Sequence, residues 1–412
     1  MTAAPVSVIV VSRDRPKALT LCLKALEGQL YDPFEVVVVA DAAGRRALAA
    51  QGWDDRVRLI PCDEANISVA RNLGLAAAGG EIVAFIDDDA VAEPTWLAHL
   101  VSAFSEPDIA AAGGFVRGRK GIGFQWTARA VDAEGNHDPL VVDPARVSCP
   151  DPGPGRAVRT EGTNMAFRRD VLATIGGFDP AFRFYLDETD VNLRLAAAGH
   201  RTAIVPLAQV VHGFAAGPFR RADRVPRDLF QIGASLAVFL RKHAPAADHA
   251  ARLLDEAVAQ RKRLVSHFLA GRINRREVNR LMETFQTGWD EGQTREFGQT
   301  PPLGPGAEFQ PFKRLPRSGR ALVFSGRPWQ RRARLADAAR AAQEGDTVSV
   351  IILSPTARPH WVRFHPDGFW LQTGGLFGRS ERNGPRFRFW RFGARVAAEV
   401  QRMSRIRDFA RE

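Results

Sequence analysis

The chain has 412 residues, 45% apolar and 25% charged, which is long for one domain and ordinary for a soluble globular protein. Three cysteines, Cys22, Cys62 and Cys149, stand far apart without CxxC spacing, which excludes a disulfide framework and a zinc ribbon. The net charge of +11 is uneven: from Pro301 onward 21 Lys+Arg face 9 Asp+Glu, so the whole excess lies in the last part of the chain and the rest is close to neutral.

Val6–Val11 (VSVIVV) is a continuous β-branched run, as a strand buried on both faces requires. Pro16–Gly28 has helical spacing with Leu19, Leu23 and Leu26 on one side, and Phe34–Val39 (FEVVVV) and Val57–Ile60 read as the next strands. Ile67–Ala78 reads as a helix ended by Gly79-Gly80, and Ile82–Ile86 as a fourth strand. Strands alternating with helices predict a parallel, doubly wound sheet, whose ligand site lies beyond the carboxyl ends of the strands. Those ends read SRDRP, ADAAG and DDDA. They are acidic and lack GxGxxG, which argues against a nicotinamide-type site. Gly118–Arg159 is looser, with CPDPGPG irregular. Regular structure resumes at Gly162–Ile175, with a helix at Asp187–Ala198 and strands at Thr202–Val205 and Gln209–Val211. Two or three helices are expected between Ala222 and Thr287, a Gly/Pro/Gln-rich linker at Gly288–Ser318, and a small βαβ-like unit from Ala321 to Leu353.

The stretch EIVAFIDDDA runs a buried strand straight into three like charges. A divalent cation makes such crowding favourable, since Mg²⁺ and Mn²⁺ take carboxylate and phosphate oxygens. Side chains alternate along an extended chain, so Asp87 and Asp89 are expected on one side and Asp88 on the other. The competing reading is a solvated acidic turn before the next helix. LDETD carries a second acidic cluster, in which Asp187 as an N-cap, with Asp190 completing a capping box and pairing with Arg194, is a structural reading.

Five ordered segments, VSVIVVSRDRP, VVVVADAAG, NISVARNLGLAAAGGEIVAFIDDDA, EGTNMAFRRDVLATIGGFDP and YLDETDVNLRLAAAGHR, together resemble glycosyltransferase family 2 over roughly the first 215 residues. The resemblance implies an α/β, GT-A-type doubly wound mixed sheet; beyond it the sequence pattern reads as a helical segment and a small α/β C-terminal unit. The chain thus divides into a GT-A domain (1–220), a helical extension (221–287), a linker (288–318) and a basic C-terminal unit (319–412). The resemblance also implies metal-dependent, inverting sugar transfer from a nucleotide-sugar donor to a hydroxyl on a glycan or lipid-linked acceptor, in cell-surface or exported polysaccharide synthesis. Carried over residue by residue, it puts Asp41, Arg71, Asn72, Asp87 and Asp88 on the nucleotide, and Asp89 and His212 on Mg²⁺ or Mn²⁺. It makes Glu188, with Asp187 beside it, the catalytic carboxylate; Glu188 departs from the more usual Asp. Gly162, Thr163, Asn164 and Asp190 fall in the sugar and acceptor region. Trp126 is a candidate for stacking on a sugar.

The alternatives are a non-catalytic sugar-nucleotide-binding or scaffold protein of the same fold, and a sugar nucleotidyltransferase. The latter usually carries a glycine-rich phosphate loop, and SRDRPKA has no glycine. No run reaches the roughly 18–20 apolar residues of a membrane span, and the N-terminal MTAAPVSVIVV has no basic leader, so a cytoplasmic protein is expected. The basic C-terminus suggests peripheral contact with the inner face of the membrane, or else packing as a structural extension; nucleic acid is not expected as a partner.

Overall fold

The β-branched runs fold as their composition dictates. In the computed structural model, which describes residues 3–217 and 219–409, β1 (Val6–Ser12), β2 (Phe34–Ala40), β3 (Arg58–Pro61) and β4 (Ile82–Asp87) are parallel neighbours in the order β3-β2-β1-β4. Alternation along β1 divides its side chains between two layers. Val6, Val8 and Val10 meet Leu19, Leu23 and Leu26 of α1 (Pro16–Glu27), while Ile9 joins Val37 and Leu75 of α3 (Ile67–Ala77) on the other face. Between these, α2 (Ala42–Ala49) follows β2 directly.

The sheet then becomes mixed. After β5 (Ala90–Ala92), α4 (Trp96–Ser102) and β6 (Ile109–Arg117) come three short strands, β7 (Phe124–Trp126), β8 (Arg129–Val131) and β9 (His137–Pro139), and then β10 (Ala157–Arg159). Strand β11 (Asn164–Arg168) lies antiparallel between β4 and β6. Helices α5 (Arg169–Thr174) and α6 (Asp187–Ala197) lead to β12 (Arg201–His212), which pairs parallel with β6 and antiparallel with β5. The two strands expected at Thr202–Val205 and Gln209–Val211 are one, with its register shifted between Val205 and Gln209.

Three helices follow, α7 (Phe230–His243), α8 (His249–Leu269) and α9 (Arg275–Thr294). The last overruns the expected start of the linker at Gly288. A Cβ at Gly288 would lie 1.9 Å from the Phe230 carbonyl oxygen, and one at Gly292 2.4 Å from that of Ala234. These glycines let α9 press backbone to backbone on α7, so they mark a close helix crossing and not a flexible joint. Residues 295–319 have no regular structure, yet they are strapped to the first domain. Phe312 packs on Phe34 and Trp53 at centroid distances of 5.5 and 6.3 Å, and Gln310 N–H donates to Glu35 at 2.9 Å.

The C-terminal unit is the expected βαβ: β13 (Ala321–Gly326), α10 (Arg331–Gln343) and β14 (Thr347–Ser354), with β13 and β14 parallel. It is extended by β15 (Trp361–Phe364), β16 (Trp370–Gly375) and α11 (Phe392–Arg407). Apolar side chains from both parts mix where they meet: Ala25, Val91, Ile122 and Val211 of the first domain pack with Val362 and Trp370. The fully buried Arg407 forms a two-pronged ion pair with Glu93, at 2.7 and 3.0 Å, and lies over the Trp370 ring. Arg407 thus packs on the first domain, whereas Arg395 and Arg402 pair with the buried Glu399 within α11. Among the described residues, no helix is long and apolar enough to cross a membrane.

Candidate active site

Three carboxylates follow β4 because that strand ends at the ligand edge of the sheet, and each is neutralised differently. The Asp88 side chain is fully buried, accepting from Ser12 Oγ at 2.7 Å and pairing with Arg15 at 2.8 Å. Burial pushes its carboxyl up to about 7 against the opposing pull of Arg15. The structure thus gives Asp88, expected on the nucleotide, a different set of partners: its side chain points away from Asp87 and is enclosed by Ser12 and Arg15, the latter shared with the buried Asp89.

Asp87 is partly exposed and accepts from Thr163 Oγ1 at 2.5 Å. Asp89 takes Arg15 at 3.2 Å, Arg220 at 3.0 Å, the Ala215 N–H at 2.8 Å and His212 Nε2 at 3.3 Å. Burial alone would raise its pKa, but His212, Arg15 and Arg220 outweigh it and hold the group well below the usual carboxylate range. Asp87, Asp89 and His212 each offer a ligand atom, all within 4.8 Å of one another.

These residues fit a divalent cation. The donors are two carboxylates and an imidazole, which suit Mn²⁺ or Mg²⁺. His212 Nδ1 lies 3.2 Å from Gln125 Oε1. With Nδ1 held there, Nε2 faces Asp89, and an ion between them would take the Nε2 lone pair in place of the present contact. The imidazole is further held by stacking on Phe214 at 4.2 Å, with Trp126 at 5.7 Å.

The second acidic cluster faces the first through Arg71. This buried guanidinium is ion-paired with Asp187 and lies 3.8 Å from Asp87. It sits in the second turn of α3, not at the helix start, because Asn66 caps that end by accepting from the Ser68 and Val69 N–H groups. Gly162 is required beside it, since a Cβ there would lie 2.4 Å from Arg71 Nη2. Asn72 spends both ends of its amide on the Phe178 backbone, at 2.7 and 2.8 Å, and so positions the turn after α5. That accounts for the residue without a nucleotide.

Helix α6 begins at Asp187, immediately after Tyr185 and Leu186, two successive non-glycine residues with φ of 80° and 65°. Such left-handed conformations cost energy and concentrate at functional sites. The expected N-cap at Asp187 is replaced by Leu186, whose side chain makes no capping bond. Glu188 Oε1 accepts from Arg159 at 3.0 Å and from Thr189 at 3.2 Å. Burial would raise Glu188, but Arg159 and then Arg71 outweigh it and keep the carboxylate ionised, whereas burial dominates at Asp187 and pushes it up to about 7.

Two expected acceptor contacts are accounted for differently by the structure. Asn164 is fully buried, accepting from Trp96 Nε1 at 2.7 Å and donating to the Phe115 and Ala208 carbonyls at 3.1 and 2.9 Å. Asp190 is likewise buried and pairs with Lys242, His243 and Arg194 at 2.8, 2.9 and 2.9 Å, tying α6 to α7. Both side chains are committed to protein partners. Asp41 caps α2 through the Gly44 N–H and holds the Asp14 N–H, both at 2.8 Å. Arg15, Arg159 and Arg220 went unread in the sequence. Arg15 had a signal, lying in the SRDRP that follows the first strand, but nothing local marked Arg159 or Arg220 among so many arginines.

The mixed sheet and acidic edge define an α/β protein with a candidate cation site at the ends of its strands. Residues 7–176 match the family model described as Glycosyl transferase family 2. The chain is 32% identical over 186 residues to the glucosyl-dolichyl phosphate glucuronosyltransferase of Haloferax volcanii, covering 42% of this chain and 56% of that protein. It is 29% identical over 238 residues to the O-antigen biosynthesis protein RfbC of Myxococcus xanthus, covering 54% of this chain and 18% of that protein. The chain thus spans little more than half of one of these relatives and under a fifth of the other. Among solved structures, the mannosyltransferase PcManGT of Pyrobaculum calidifontis, in complex with GDP-Man and Mn²⁺, aligns at a TM-score of 0.44 and 17% identity, covering 71% of this chain and 88% of that one.

Proposed function

We propose that the protein is an inverting glycosyltransferase that moves a sugar from a nucleoside-diphosphate sugar to a hydroxyl acceptor. The observation that carries this reading is the pairing of two acidic clusters across Arg71: Asp87, Asp89 and His212 on one side, Asp187 and Glu188 on the other. Asp89 and His212, with Asp87 beside them, are the residues that would hold Mg²⁺ or Mn²⁺. Bound there, such an ion supplies positive charge to a diphosphate leaving group.

The remaining chemistry belongs to the chain. Asp41 and Arg71 bind the nucleotide end of the donor. Glu188, ionised at neutral pH, takes the proton of the acceptor hydroxyl as its oxygen attacks the anomeric carbon. The bond to the diphosphate breaks on the opposite face, the electron pair leaves with the phosphate oxygen, and configuration inverts. Thr163 and Arg159 hold Asp87 and Glu188 in place through the process. The acceptor is read as a glycan or a lipid-linked sugar in polysaccharide or glycoconjugate synthesis, with the protein in the cytoplasm and peripheral at the inner face of the membrane.

A thermal-shift panel of nucleoside diphosphates with and without Mn²⁺ tests the reading. At about 100 times the dissociation constant a ligand stabilises by about 2.7 kcal/mol. One nucleotide should stabilise the protein, and only with metal. No response to any nucleotide would leave a non-catalytic role of the same fold as the better account.

A further inference from the structure

Helix α8 is built inside out. Its sequence, HAARLLDEAVAQRKRLVSHFL, is amphipathic, but the buried positions are Glu256, Gln260, Leu264 and His267, three of them polar. Glu256 and Gln260 satisfy one another at 2.9 Å, and Arg252 pairs with Glu256 at 3.2 Å. Leu253, Ala257 and Leu264 pack inward, but five large apolar residues face outward: Leu254 is 63% exposed, Val258 43%, Val265 38%, Phe268 45% and Leu269 78%. Their offsets from Leu254 are 4, 11, 14 and 15, which at 100° per residue confine them to one stripe about 100° wide. Burying polar groups while exposing five large apolar ones is unfavourable unless something covers that stripe.

The charge around the stripe identifies the cover. Residues 249–280 carry 8 Lys+Arg against 3 Asp+Glu. Arg261 falls inside the apolar stripe and Lys262 at its flank, and both are exposed, as are Arg272, Arg275, Arg276 and Arg280 in the turn and helix that follow. Two copies meeting through this face would bring the Arg261 of each together inside the apolar stripe, with only Asp255 at its edge as an exposed acid. An anionic bilayer instead takes the apolar stripe below its headgroups and pairs its phosphates with the flanking cations. Because apolar residues occupy one side only, the helix lies in the membrane surface and does not span it.

We infer that α8 is an interfacial helix that docks the protein on an anionic membrane through Leu254, Val258, Val265, Phe268 and Leu269. The location differs from the basic C-terminal unit, where exposed Trp329, Phe387 and Phe389 stand among arginines. On its other face α8 reaches toward the second acidic cluster, since Tyr185, just before Asp187, packs in the same apolar cluster as Leu253, Ala257 and Leu264.

Vesicle co-sedimentation of the full chain, without substrate, tests this independently of catalysis. Binding is expected to vesicles containing about 30% phosphatidylglycerol, to be much weaker on pure phosphatidylcholine, and to fall at about 0.5 M salt. Leu254→Ser with Val258→Ser and Leu269→Ser should lower binding about tenfold or more with unchanged thermal unfolding, because all three are already exposed. Arg261→Glu with Lys262→Glu should abolish the preference for anionic lipid. Three results would each overturn the inference: no vesicle binding by the parent chain, loss of binding on replacing Trp329 and Phe389 but not on altering α8, or a dimer that the α8 substitutions convert to monomer.

Discussion

Replacing Arg407 by Ala should loosen the C-terminal unit from the first domain. Arg407 and Glu93 are each about 2% exposed at the side chain, and the guanidinium also donates to Ser349 Oγ at 3.0 Å. Removing one partner of a buried pair leaves the other charge uncompensated, which costs about 3–5 kcal/mol. At about 2 °C per kcal/mol for a chain of this size, the melting temperature should fall by roughly 6–10 °C. Thermal unfolding by circular dichroism of Arg407→Ala, Glu93→Gln and the double variant supplies the assay. The double variant should be less destabilised than the two single changes together, because the second substitution removes the orphaned charge. A change within about 1 °C for Arg407→Ala would refute the claim that this ion pair anchors the unit.

Asp89→Asn should abolish Mn²⁺-dependent stabilisation by nucleotide while leaving the metal-free melting temperature within several degrees; retained metal response, read by thermal shift, would place the ion elsewhere. Gly288→Ala should destabilise by about 1–3 kcal/mol, because its Cβ meets the Phe230 carbonyl, and denaturant titration measures this directly. Burial raises Asp190, but His243, Arg194 and Lys242 outweigh it and depress the folded-state value. Its stabilisation is therefore complete above the unfolded value of about 4 and is lost as pH falls below that. Asp190→Asn should flatten the loss of stability in that acid range, as followed by melting temperature against pH.

Much of the sheet was legible because β-branched runs such as VSVIVV and FEVVVV admit few other structures, and because DDDA must end a strand somewhere wet. The alternation rule correctly separated Asp88 from Asp87, and His212 does converge on Asp87 and Asp89. What stayed hidden was long-range. Asn164 and Asp190 sit inside motif-like segments, yet their partners, Trp96, Phe115, Lys242 and His243, come from distant elements that no local pattern identifies. Gly288 and Gly292 read as linker because a glycine looks the same in a joint and in a tight helix crossing. The paired left-handed residues Tyr185 and Leu186 carry no glycine to announce them. The exposed stripe of α8 was also hidden, since helical periodicity marks an apolar face without saying which way it points.

Sugar transfer by Glu188→Gln, measured beside nucleotide affinity in the same preparation, tests the central claim most directly. The amide keeps the shape and the Arg159 contact but cannot take a proton, so turnover should drop by about 10²–10⁴ with the nucleotide dissociation constant changed by less than a few fold. Turnover near that of the parent protein would contradict the assignment of the acceptor-activating base to Glu188.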